Sequence, residues 1–175
     1  MKHTFLVVGA IVLGLGGTAS AQRARVSPHE STAANVHGSA MSIEYGRPST
    51  RGRVIFGRLV PYGEVWCPGA DEATMLSTSR PLHIGPLAVP AGEYSLWILP
   101  SEGDWTLIVN KEAHTFHTNY RGSRDLGRVM LQKLTLTSPV EQLTFAIEQS
   151  SGGAGGRIVM SWATTEVSVP FMVGD

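Results

Sequence analysis

The chain reads as an all-β protein, an antiparallel β-sandwich or partly open barrel of about 8–10 short strands with one long packed loop. Three observations predict it. From Val26 onward apolar residues recur at period two, the alternation of half-buried strands. No window of about 11 residues or more carries apolar groups at helical spacing. Glycine and proline, 20 and 10 of the 175 residues, punctuate the chain closely, admitting positive φ or withholding a backbone donor.

The first 21 residues read as an export signal rather than as part of the fold. Lys2 and His3 make a short basic start, residues 4–15 are almost wholly apolar, and Ala19-Ser20-Ala21 supplies a small-x-small cleavage site. The apolar run is shorter than the ~20 residues a membrane span needs, and no cysteine follows it closely to carry a lipid. Cleavage between Ala21 and Gln22 is expected, leaving residues 22–175 as one exported domain, periplasmic or extracellular, with no membrane span. Its length is ample for an independent core. Without Lys2 the basic residues fall from 14 to 13 against 14 acidic ones, so there is no general attraction to nucleic acid or to an anionic membrane. Cys67 is the only cysteine, and one thiol makes no internal disulfide.

Strand by strand, residues 29–36 pair with a segment in which Met41, Ile43 and Tyr45 share a face, with a turn near residues 35–38. Residues 74–79 and 82–84 read as short strands separated by Arg80-Pro81. The clearest hairpin spans residues 93–111: Tyr94, Leu96 and Ile98 alternate outward to the Pro100-Ser101-Glu102-Gly103 turn, and Trp105, Leu107 and Val109 alternate back. Trp97 and Ile108 on its other face predict a central pair covered on both sides. Residues 112–124 read as a second loop. Residues 126–137 form a strand with Met130, Leu134 and Leu136 in phase; Leu143, Phe145 and Ile147 form the next. A glycine-rich hairpin loop over residues 150–156 leads to Ile158, Met160 and Trp162 and then to Val167, Val169 and Phe171.

The long loop, residues 45–74, breaks this regularity. Gly46, Gly52, Gly57, Gly63 and Gly69 and three prolines interrupt it, yet Ile55-Phe56, Leu59-Val60 and Val65-Trp66 return as apolar anchors. A solvated linker would not carry them, so the loop is expected to pack onto the core, and loops of this kind are commonly functional.

Linked motifs occur here in one order: Ser27-Pro28, Tyr45-Gly46-Arg47-Pro48, Gly52-Arg53-x-Ile55-Phe56-Gly57, Val60-Pro61-Tyr62-Gly63-x-Val65-Trp66, Gly69-Ala70-x-Glu72-Ala73-Thr74 and Pro90-Ala91-Gly92-x-Tyr94-Ser95-Leu96. The set resembles a bacterial family of exported proteins, domain-of-unknown-function family 2911, most strongly over residues 27–110. The resemblance implies export and no established activity. The family's usual Arg-Thr-Gly-Ala-Asn-Glu-Ala-Thr after the tryptophan is replaced here by Cys67-Pro68-Gly69-Ala70-Asp71-Glu72-Ala73-Thr74, which removes an arginine and an amide.

Several side chains are candidates for chemistry. Arg47, Arg53 and Arg58 could converge as forks on a carboxylate, sulfate or phosphate; the alternative, adopted here, is that they pair with Glu44, Glu64, Asp71 and Glu72 to tie the loop down. Asp71 and Glu72 invite acid/base work, with Glu72 the better candidate because it belongs to the matched motif; on a strand these neighbours would point to opposite faces. His114-x-x-His117 suggests a metal pair with Glu112 or Asp125, but no HExxH pattern supports it, and solvated histidines with no metal are expected. Cys67 reads as a small buried hydrophobe. Trp97, Trp105 and Trp162 sit in strand phase, whereas Trp66 lies on the loop and could stack on a sugar ring. No G-x-S-x-G elbow, P-loop, dinucleotide fingerprint or CxxC occurs, and no cofactor is expected. The expectation is a non-catalytic binding module of the cell envelope. Its ligand would be a small polar molecule, a glycan or an envelope protein, contacted through Arg47, Arg53, Arg58, Trp66, Asp71 and Glu72. The alternatives are a hydrolase-like enzyme with Glu72 as acid/base and arginines as stabilisers, and an envelope structural protein without a small ligand.

Overall fold

A computed structural model describes residues 26–174 of the chain; the expected signal segment and its Ala21/Gln22 cleavage site lie outside the described residues. The strands are β1 (His29–Val36), β2 (Ser39–Gly46), β3 (Met75–Thr78), β4 (Leu82–Ile84), β5 (Leu87–Val89), β6 (Gly92–Leu99), β7 (Trp105–Asn110), β8 (Asp125–Gln149) and β9 (Gly155–Val173). Among the described residues there is no α-helix, and hence no helix long and apolar enough to cross a membrane.

Hydrogen bonding runs in the order β1-β2-β3-β6-β7-β8-β9-β4-β5, antiparallel throughout and open between β1 and β5. The order folds into two layers because β8 belongs to both. Over its first residues, to Leu131, it pairs with β7; from Gln132 it pairs with β9. Register shifts between Thr135 and Val140 and between Val140 and Thr144 lie along this second stretch. Extra residues at such bulges bend a strand, so one long strand turns the corner of the sandwich.

Between the layers lies the main core, with Ile43, Leu76, Leu96, Ile98 and Val109 on one side and Leu143, Trp162, Phe171 and Ile84 on the other. The β6–β7 hairpin has two apolar faces, as its sequence predicts. Its second face, Trp97 and Ile108, is covered by Cys67 and Ala73 of the long loop. That loop is therefore an outer layer of the core: Ile55 and Val60 are buried within the main cluster, and Trp66 exchanges both backbone hydrogen bonds with Ile98 at 2.8 Å. Trp66 thus continues the edge of β6 where β3 ends.

One strand phase differs from expectation. Val129 and Leu131 of β8 point inward, while Met130 is 57% and Leu134 56% exposed. Both parities of this segment carry apolar side chains, so period two alone selects neither face.

Candidate functional site

Two loops, residues 47–74 and 111–124, are stitched together over one region of the sandwich. Asp71 adopts a left-handed φ of 67°, which turns the chain. Ala73 N–H donates to the Thr115 carbonyl at 2.9 Å and His117 N–H to the Asp71 carbonyl at 3.0 Å, and Glu72 bridges to Phe116. The base of the second loop is held by Asp125, whose carboxylate accepts from Asn110 Nδ2 (2.9 Å), the Tyr120 hydroxyl (2.7 Å) and Arg128. The long loop is held by a close backbone approach at Gly46, where a Cβ would stand 2.3 Å from the Ala70 carbonyl oxygen. Only glycine fits there without a shift. Two clefts border this stitch.

The first cleft, about 620 Å³, is lined by His29, Glu44, Glu72, His114 and Phe116 among others. His29 Nε2 lies 3.0 Å from Glu72 Oε2 and 3.7 Å from Asp71 Oδ2. The expectation that Asp71 and Glu72 face opposite ways is thus corrected: the segment is not an extended strand, and the positive φ at Asp71 lets both carboxylates reach one imidazole. His114 Nε2 meets Glu93 Oε2 at 2.9 Å. Each histidine of this cleft therefore has a carboxylate partner.

The second cleft, about 470 Å³, lies beneath the long loop and is lined by Ser49, Arg51, Arg53, Leu59, Trp66, His117, Thr118 and Trp162 among others. Its floor is aromatic. Trp66 stacks on the buried Trp162 with centroids 5.9 Å apart and planes 13° apart, and Phe56 meets both edge-on at 6.0 Å. Its rim is a turn in which Arg51 (φ 50°) and Gly52 (φ 71°) are both left-handed, a conformation unfavourable for a residue with a Cβ. Glu141 compensates: its carboxylate accepts from the Thr50 hydroxyl and from Arg51 N–H (2.9 Å). The Thr50 hydrogen bond, then the Arg51 N–H and the charges of Arg51 and Arg53, lower the Glu141 carboxyl below its ordinary value. Arg53 is held by its own neighbours, donating from Nε to the Thr50 carbonyl (2.9 Å) and from Nη2 to the Ser49 carbonyl (2.7 Å). Among the described residues, no carboxylate stands within ion-pair distance of Arg51, Arg53 or Arg58.

The expected arginine pairings are accordingly revised. Arg47 does tie the loop down, but its carboxylate is Glu30, and it also donates to the Leu143 carbonyl (3.0 Å) and Thr144 Oγ1 (2.9 Å). Arg53 anchors to carbonyls instead of to Glu64 or Asp71. Arg58 is exposed and lines neither cleft. The three arginines do not converge, and Arg53 and Glu72 line different clefts. His114 and His117 are also divided between the two, His117 packing edge-on against Phe116 at 4.6 Å. Glu112 pairs with Arg121 and Asp125 with Arg128, and among the described residues no group of three His, Cys, Asp or Glu side chains is placed to hold a metal ion. Cys67 is buried, and desolvation pushes its thiol up to about 11, so it remains an unreactive thiol at neutral pH. Thr118 in one cleft, and His29 and Phe116 in the other, were not singled out by sequence; Trp162 reads there as core and Glu44 as an arginine partner, and both line a cleft. Arg51-Gly52 carried the one local hint, a glycine beside a charged residue in a turn.

The family model described as "Protein of unknown function (DUF2911)" matches residues 27–171. Neither the curated proteins nor the solved structures contain a match to the chain. With the matched region running from the segment before β1 into the end of β9, the chain belongs to the DUF2911 family.

Proposed function

We propose that this protein is a non-catalytic binding module of the cell envelope, exported by its N-terminal segment, whose ligand is a small polar molecule or glycan seated in the cleft beneath the long loop. The observation that carries this reading is the composition of that cleft. A rigid tryptophan wall, Trp66 backed by Trp162, stands beside two arginines that have no carboxylate partner among the described residues. A concave site with an apolar wall and a few fixed polar groups is the usual form of a small-ligand site. A ligand bound only by the native state raises its melting temperature. A thermal-shift screen of the exported chain against sugars, anions and envelope polysaccharides is therefore expected to give at least one response, with matching quenching of tryptophan fluorescence. No response across the screen would contradict the reading.

A second reading, hydrolase-like chemistry with Glu72 as acid/base, is favoured by the 3.0 Å contact between Glu72 and His29 in the other cleft. Its electrostatic stabilisers would not be Arg51 and Arg53, which line the opposite site. Turnover of a glycan or ester substrate that disappears in Glu72→Gln and survives in Arg53→Ala would favour it over binding alone.

A further inference from the structure

We infer that the ligand of the arginine cleft is an acidic saccharide, its carboxylate taken by Arg53 and Arg51 and its ring laid against Trp66. The inference rests on the binding reading above and specifies its ligand class. The charge argument begins with Arg53. Two of its three guanidinium nitrogens are fixed on the Ser49 and Thr50 carbonyls, while Nη1 has no partner among the described residues. The plane of the guanidinium is therefore set before any ligand arrives, and less freedom is lost for each new hydrogen bond. Arg51 lines the same cleft two residues away. Glu141, whose carboxylate is near both, is already engaged by the Thr50 hydroxyl and the Arg51 N–H. Two guanidinium groups beside one cleft, with no ion-paired acid among the described residues, repel each other and favour an anion between them.

The remaining walls distinguish a sugar from a bare anion. Trp66 is stacked on Trp162 and held by the T-shaped contact with Phe56, a flat and immobile surface of the kind a sugar ring covers. Ser49, His117 and Thr118 bring hydroxyl and imidazole groups to the same space, and Leu59 is 46% exposed beside them. Phosphate or sulfate would use the arginines and leave this surface uncovered. A neutral sugar would use the surface and make no charge-assisted hydrogen bond to either guanidinium.

Calorimetric titration of the full exported chain with trigalacturonate, with neutral galactotriose and with inorganic phosphate separates these cases. The acidic trisaccharide is expected to bind at least tenfold more tightly than either of the others. Arg53→Ala should bring the acidic and neutral sugars to within about twofold of each other, Arg53→Lys should fall between, and Trp66→Leu should weaken both sugars. Thermal melts confirm that each variant is folded, and Arg51→Ala provides a second charge deletion on an exposed side chain. Equal binding of acidic and neutral sugars would overturn the charge assignment, and phosphate binding as tightly as trigalacturonate would overturn the saccharide. No binding of trigalacturonate, while another ligand of the broad screen shifts the melting temperature, would overturn this inference alone. Silence across that screen would overturn the binding reading with it.

Discussion

The two clefts border the same stitch of loops yet treat charge in opposite ways. In the histidine cleft, His29 faces Glu72 and Asp71, and His114 faces Glu93. In the arginine cleft, among the described residues, Arg53 is held by neutral carbonyls and Arg51 through its backbone. A ligand entering the first must disturb contacts already made; a ligand entering the second gains charge-assisted hydrogen bonds without breaking an ion pair. Partnered charges therefore read as construction, and anchored but unpartnered charges read as a site. Asp71 and Arg51 show the same division in the backbone. Both are left-handed non-glycine residues. The turn at Asp71 brings carboxylates onto His29, and the turn at Arg51 sets Arg51 and Arg53 along an open cleft.

The sharpest way to break this comparison is to remove one floor. Trp162 is 1% exposed, belongs to the main core and, of the two clefts, lines the arginine one. Trp162→Ala should cost about 3–5 kcal/mol in urea unfolding and abolish ligand response. Leu96→Ala, in the core common to both clefts, should cost about 2–5 kcal/mol; a loss below roughly 0.5 kcal/mol, the scale of a surface change, would contradict the assignment of β6. Next comes Arg53→Ala. Because Arg53 serves carbonyls and, among the described residues, no buried carboxylate, its removal should cost about 1 kcal/mol rather than the ~3–5 kcal/mol of a broken buried ion pair, while ligand response disappears. His29→Ala is its counterpart. The His29–Glu72 pair is partly exposed, so urea melts should show less than about 1 kcal/mol, with ligand response unchanged.

pH separates the clefts more gently. Glu141 is held below its ordinary carboxylate value, so its contribution is complete above the ordinary range and is lost as pH falls through the lowered folded value. Resistance to urea unfolding should fall over that acidic window, and Glu141→Gln should remove that component of the pH dependence. Smallest of all is the effect of a thiol reagent at pH 8. Cys67 should react slowly in the native protein and rapidly in urea, leaving native ligand binding unchanged, because burial keeps it protonated.

Much of the fold was legible because its strands alternate cleanly. Met41, Ile43 and Tyr45 are 3%, 0% and 1% exposed, and Leu143 and Phe145 are 0% and 5% exposed. The segment around Met130 was not, because apolar groups occupy both of its faces. The long loop's packing was visible in Ile55, Val60 and Trp66, whose spacing matches no strand but whose chemistry excludes solvent. The site was legible only in part. Arg53 and Trp66 announced themselves as an unusual loop arginine and a loop tryptophan, but their neighbours Trp162 and Thr118 come from β9 and the second loop. Only the folded sandwich brings them together. The partners of charged groups were misjudged for the same reason: Glu30 and Glu141, which hold Arg47 and the Arg51 turn, are remote in sequence from one or both of the groups they hold.

The central claim is that the arginine cleft, not the histidine cleft, is the binding site. An amide and indole chemical-shift titration with trigalacturonate tests it most directly. The account predicts saturable shifts at Ser49, Arg51, Arg53 and Thr118 and at the Trp66 indole N–H, with His29, Glu44 and His114 unmoved. Shifts confined to His29, Glu44, Glu72 and His114 would contradict it.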